Sequence, residues 1–240
     1  MEDVDAAMAD ADTIVLSGRA DNPSVRALVG ILRSKGLEYR LTPPAAGPIT
    51  LRVLGDVGGK DARLSAGGRA VAGARAIRDF LEDHHPQPPL RPRDISAAAW
   101  CHVLEDWAEE AFAWRVLALR WLVPANRDAA AAAFVGRVPG IFRPLASRGA
   151  VATMTLRLRG RGLAAADVPE VEHALARDLD ELDRLLHDRD WLLGEPHGRS
   201  TADLVVAAHL AALDGTAYEE SVRARRSLVR WLRETRRAWE

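Results

Sequence analysis

At 240 residues with 48% hydrophobic side chains, the chain is long enough for two modest domains, each burying its own core. Its 33 basic and 34 acidic side chains leave a formal charge of −1, which excludes a strongly basic nucleic-acid binder and gives no overall pull toward anionic membranes. No apolar run approaches the ~20 residues that span a bilayer, and Cys101 stands alone, so no intrachain disulfide can form. The acidic opening MEDVDAAMADAD has neither the basic start nor the apolar run of a secretion signal. A cytoplasmic protein is expected, with a small molecule as partner and with neither nucleic acid nor membrane.

Thr13 to Leu16 is a β-branched and aliphatic run that predicts a buried strand. After the loop Ser17 to Asp21, Asn22 is a helix N-cap and Pro23 takes the first helical position, where its missing N–H costs nothing. Val25, Leu28, Val29 and Leu32 carry the helix to Lys35, and Gly36 supplies a left-handed stop. Leu37 to Leu41 reads as a second strand. The turn-rich stretch Thr42 to Pro48 leads into the alternating segment Ile49 to Leu54, and a strand around Ala62 to Ser65 is expected to complete a hairpin with it. A helical pattern then runs from Val71 to His84, so the predicted order is β-α-β-β-β-α. Pro86, Pro88, Pro89 and Pro92 make a stiff linker, which places one domain at residues 13–85 and the next at 94–240.

Everything after Asp94 reads helical. Asp94 caps a long helix to about Val123, where Pro124 is expected to end it, and a helix from Arg127 to Val138 follows. A short helix from Ala150 to Leu158, an amphipathic one from Asp167 to His187, one opening at Ser200 and a last one from Tyr218 to Trp239 complete the series.

Four stretches together resemble the glutathione transferase superfamily. Asn22-Pro23-Ser24 through Lys35-Gly36-Leu37-Glu38-Tyr39 is similar to its "SPF…KGLEYE" unit, and Ala76 to Asp83 to its "AI…YLDE" helix. Glu105-Asp106-Trp107-Ala108-Glu109-Glu110 is similar to "EDWADE", and Trp191 to Glu195 with Ser200-Thr201-Ala202-Asp203 to "FLFGDRPTxAD". The last stretch has a local rationale, since Ser200 and Asp203 stand at capping-box spacing. The C-terminal half further resembles a divergent bacterial branch related to metaxin and failed-axon-connections proteins. The resemblance implies an α/β thioredoxin-like N-terminal domain plus an all-α C-terminal domain.

It also implies a transferase-type activity on a small electrophilic or apolar substrate, with glutathione or another thiol as co-substrate and a homodimeric assembly. In the family a hydroxyl or thiol at the start of the first helix stabilises the bound thiolate or attacks the substrate. Asn22 holds that position here, with Ser17 and Ser24 as nearby substitutes and Arg19 or Arg26 as positive charge. Two readings of Asn22 stand, a thiolate donor and a plain N-cap. A proline, usually cis, precedes the family's third strand, and Gly47-Pro48 is the counterpart. The acidic residue and serine that bind the γ-glutamyl end are replaced by Gly73 and Ala74, followed by Arg75, so glutathione is expected to bind weakly.

Trp100, Trp107, Trp114 and Trp121 recur every seven residues, so on a regular helix they form one stripe. Trp107 and Trp114 are candidates to line a substrate cleft, against the alternative of packing between helices. Cys101 is expected to be a buried structural thiol. The seven histidines form no metal-ligand pattern, and no metal is expected. Two further functions share the same fold, a non-catalytic scaffold and an isomerase or dehydratase working in the inter-domain cleft.

Overall fold

The computed structural model describes residues 13–43, 62–135, 138 and 140–240. Four strands, β1 (Ile14–Ser17), β2 (Tyr39–Thr42), β3 (Arg63–Ala66) and β4 (Arg69–Ala72), form one mixed sheet in the order β2-β1-β3-β4. β1 and β2 are parallel, with Ile14 opposite Tyr39, because helix α1 (Pro23–Ser34) carries the chain back between them. β3 runs antiparallel to both β1 and β4, with Leu64 opposite Leu16 on one side and Val71 on the other. Leu16 and Leu64 are wholly buried, and they meet Leu28, Ile31 and Ile77 in the core of this domain.

Local chemistry fixes both ends of α1. Asn22 Oδ1 accepts from the backbone N–H of Ser24 at 2.8 Å and of Val25 at 3.4 Å. At the other end Gly36 adopts φ +66°, and Leu37 N–H reaches back to Leu32 O at 3.0 Å.

The segment after β2 departs from the sequence reading. The partner of β3 is Arg69–Ala72, and helix α2 spans Ala74–His84 instead of starting at Val71. Gly67 and Gly68 take φ +54° and +74°, the left-handed pair that a two-residue hairpin turn requires, so Val71 is drawn into the sheet. The expected strand Ile49 to Leu54 lies outside the described residues.

The C-terminal part is helical throughout. Helix α3 (Ile95–Trp107), capped by the Asp94 carboxylate on Ala97 N–H at 2.8 Å, passes through one π-helical turn (Ala108–Phe112) into α4 (Ala113–Trp121). Then follow α5 (Pro124–Phe134), α6 (Arg143–Gly160), α7 (Val168–Leu185), α8 (Thr201–Leu210), α9 (Glu219–Arg223) and α10 (Arg226–Arg236). Pro124 opens α5 at its first position as well as closing the preceding helix. Helix α6 is longer than expected, and the last predicted helix is divided between α9 and α10.

The two parts share a buried boundary. Every residue of α8 is buried, and Leu204 from it joins the core of the N-terminal domain beside α1. At Gly30 a Cβ would stand 3.0 Å from Leu204 Cδ2 and 3.3 Å from Trp239 Cε3, so the absence of a side chain sets how closely α1 and α8 approach. The capping box at Ser200 is present. Asp203 accepts from Ser200 N–H at 2.8 Å, Leu192 N–H at 2.9 Å and Trp231 Nε1–H at 2.7 Å, which ties α8 to α10 and the preceding loop.

Candidate functional site

The sheet delivers the chain from β1 into the loop Gly18 to Asn22, and this loop faces the helical part across a small cleft. Arg19, Asp21 and Asn22 form one wall, while Arg120 and Trp121 from α4 and Phe134 from α5 face them. The cleft has a volume of about 70 Å³, and Met154 from α6 also lines it.

Arg19 anchors the loop. Its Nε donates to Asp21 Oδ1 at 3.0 Å, its Nη1 donates to Phe134 O at 3.1 Å, and its guanidinium lies over the Phe134 ring at 4.3 Å. Burial pushes the Asp21 carboxyl up, but the hydrogen bond and charge of Arg19 outweigh it and hold Asp21 below the usual carboxylate range. Arg120 carries a pKa pressed down by burial, with Asp21 pulling it back up and Arg26 and Arg19 adding repulsion. Three guanidinium groups thus surround a single carboxylate of the loop.

The other candidates fall into place around this cleft or away from it. Asn22 is buried, and its Oδ1 is engaged in capping α1, as the N-cap reading expects. Ser17 Oγ donates to Pro43 O at 3.2 Å. Ser24 is 2% exposed and its hydroxyl has no hydrogen-bond partner among the described residues. Arg26 lies half-buried on the first turn of α1. Gly47 and Pro48 lie outside the described residues, and the residue that enters β3 is Ala62. Arg75 is drawn away to the helical part, where Nη2 is ion-paired with Asp106 and stands 3.9 Å from Glu109 Oε2.

The tryptophan stripe does not survive intact. A π-helical turn holds more residues than an α-helical one, so side chains after Phe112 are rotated relative to those before Ala108. Trp100 is 60% exposed, whereas Trp121 is 4% exposed and packs edge-on against Phe134. Trp107 stacks on Phe112 with centroids 5.1 Å apart, and Trp114 receives Arg161 at 4.4 Å. Of the four, only Trp121 lines the cleft.

Sequence reasoning missed a buried ionic cluster that joins the two parts. Arg78 of α2, 1% exposed, donates to both carboxylate oxygens of Glu109 at 2.6 and 3.0 Å, and its Nε is 3.5 Å from Glu105. Thr201 Oγ1 donates to Glu105 from α8, and Cys101 Sγ lies 3.3 Å from the same hydroxyl. Burial raises the Cys101 thiol to about 11, in keeping with a structural role. The signal was present in an arginine on the otherwise apolar Ile77 to Leu81 face, opposite two glutamates spaced at i and i+4. Among the described residues no group of three potential metal ligands is gathered, and no helix is long and apolar enough to cross a membrane.

The sequence matches no family model and no curated protein. Solved structures are nevertheless similar over nearly the whole chain. The β-etherase LigF from Sphingobium sp. strain SYK-6 superposes with a TM-score of 0.66 at 21% identity, covering 92% of this chain and 94% of its own. A glutathione S-transferase from Rhodospirillum rubrum gives 0.63 at 16% identity over 95% and 90% of the two chains. One from Methylobacterium radiotolerans, solved in complex with glutathione sulfonate, gives 0.62 at 19% over 95% and 92%. These likenesses do not single out the metaxin-related branch. Together with the β2-β1-β3-β4 sheet and the buried α8, they show that the chain has the fold of the glutathione S-transferase superfamily.

Proposed function

We propose that this chain is a transferase-type enzyme that joins a thiol to a small electrophilic or apolar molecule in the cleft beside Asn22. One observation carries the reading: the loop before α1 and the helical part enclose a cleft at a helix N-terminus, with Arg19 and Arg120 as its cations. Both the helix end and the guanidinium groups favour a thiolate over a thiol. The sulfur then attacks the electrophilic carbon, a C–S bond forms, the leaving group departs with its electron pair, and the thiol proton passes to solvent.

Glutathione is the thiol that a solved neighbour holds in its sulfonate form. In this chain Gly73 and Ala74 offer no side-chain anchor for its γ-glutamyl end, and Arg75 is engaged with Asp106, so the affinity is weak. Ile95, Trp100 and Val103 are 88%, 60% and 53% exposed along α3, which supports a homodimer formed through this apolar face. A cytoplasmic location and the division at the proline linker belong to the same reading.

A second reading, a binding protein without chemistry, draws on the commitment of Asn22 Oδ1 to capping and of Ser17 to Pro43 O. Incubation with a chloronitrobenzene and either glutathione, cysteine or coenzyme A separates the two. Conjugate formed faster than in buffer with any of the thiols supports the enzyme. Background rates with all three, from protein shown to be folded, overturn it in favour of the binding protein.

A further inference from the structure

The cleft at the start of α1 holds more positive charge than its own carboxylates neutralise. Arg19 and Asp21 satisfy each other in a two-point pair. Arg120 lines the same cleft, is half-buried, and makes no hydrogen bond or ion pair among the described residues. Arg26, half-buried and outside the cleft lining, likewise makes no hydrogen bond or ion pair among the described residues; it feels the charges of Asp214, which Arg236 holds at 2.7 Å, and of Asp21, which Arg19 holds at 3.0 Å. A partly desolvated guanidinium without a partner is costly, and an arriving anion relieves that cost.

We infer that this cleft binds a small monocarboxylate with an apolar body, its carboxylate on Arg120 and its body against Leu117, Trp121, Phe134 and Met154. The inference rests on the reading of the cleft as the substrate site and names its substrate class. Three features select that class. The planar fork of a guanidinium matches a carboxylate in a two-point pair. Asp21, which lines the same cleft, repels a second negative charge, which disfavours a dianion such as phosphate. The four side chains offered to the rest of the ligand carry no charge, and a cavity of about 70 Å³ has room for the carboxylate and the first atoms attached to it.

Calorimetric titration of the full chain with cinnamate, with its uncharged twin cinnamamide and with inorganic phosphate, all without thiol, tests the assignment. Cinnamate is expected to bind about 10-fold to 100-fold more tightly than cinnamamide, the range of one charge-assisted hydrogen-bonded contact. Arg120→Gln is expected to abolish that difference while leaving the circular dichroism spectrum unchanged. Equal affinities for cinnamate and cinnamamide on the wild-type chain overturn the inference, whether or not the variant folds. So does phosphate binding as tightly as cinnamate, or a cinnamate preference that survives Arg120→Gln. No thiol enters the experiment, so absence of conjugation would sink the transferase reading and leave this result standing.

Discussion

Replacing Arg78 by methionine keeps most of the side-chain length and removes its charge. The wild-type guanidinium is 1% exposed and supplies both hydrogen bonds to Glu109, at 2.6 and 3.0 Å. Glu105 keeps other partners, the Thr201 hydroxyl and Arg91 at 3.9 Å. Among the described residues Glu109, 8% exposed, then keeps just the distant ion pair with Arg75 at 3.9 Å, so the variant strands one buried carboxylate. Removing one partner of a buried ion pair costs about 3 to 5 kcal/mol, against a total stability of roughly 5 to 15 kcal/mol. For a chain of this size each kcal/mol moves the midpoint by about 2 to 4 °C, so Tm falls by roughly 6 to 20 °C. Thermal unfolding followed by circular dichroism at pH 7 measures it. The double variant R78M/E109Q separates charge from packing, since it recovers most of the loss. A drop below 2 °C, or a deficit that E109Q leaves untouched, shows that the stranded Glu109 carboxylate is not the source of the cost.

The wild-type chain carries a pH dependence at His209, 4% exposed, where burial lowers the imidazole from 6.5 to about 4. The unfolded chain binds this proton first, so stability is full above pH 6.5 and declines as pH falls toward about 4, by roughly 2 kcal/mol at pH 5. His209→Gln flattens that slope in urea titrations, and an unchanged slope contradicts the assignment. Asn22→Ala loses the cap of α1 and about 1 kcal/mol, whereas Asn22→Asp keeps the cap; if the site handles a thiolate, the new carboxylate lowers conjugation at equal Tm. Trp100→Glu converts a dimer into the 26.2 kDa monomer in light scattering at micromolar concentration, and a wild-type chain already at that mass removes the dimer proposal.

The first strand, the cap at Asn22, the stop at Gly36 and the capping box at Ser200 were all legible because each is written in residues a few positions apart. The hairpin of β3 and β4 was harder to read. Arg69 to Ala72 has a β pattern too short to outweigh the helical period that follows, and only Gly67-Gly68 marks the turn. The heptad of tryptophans misled for a different reason. Seven-residue spacing implies one stripe only on a regular helix, and the π turn at Ala108–Phe112 has no sequence mark of its own. Of the site, the loop Ser17 to Asn22 could be placed by its position before α1. Arg120 could not, because its approach to Asp21 depends on how α4 packs across the cleft, 99 positions along the chain (120 − 21). Arg75 illustrates the converse, a cation whose neighbours in sequence suggest a ligand and whose neighbour in space is Asp106.

Gly73 and Ala74 stand where the family that the sequence resembles carries an acidic residue and a serine, and we propose that this chain binds glutathione weakly for want of them. Two hydrogen bonds to charged groups, at about 1.5 to 3 kcal/mol each, correspond to a weakening of roughly a hundredfold or more. Titration calorimetry with glutathione on the full-length chain is the direct measurement. A dissociation constant of about one millimolar or weaker is expected, and a constant in the low micromolar range would overturn the weak-binding proposal.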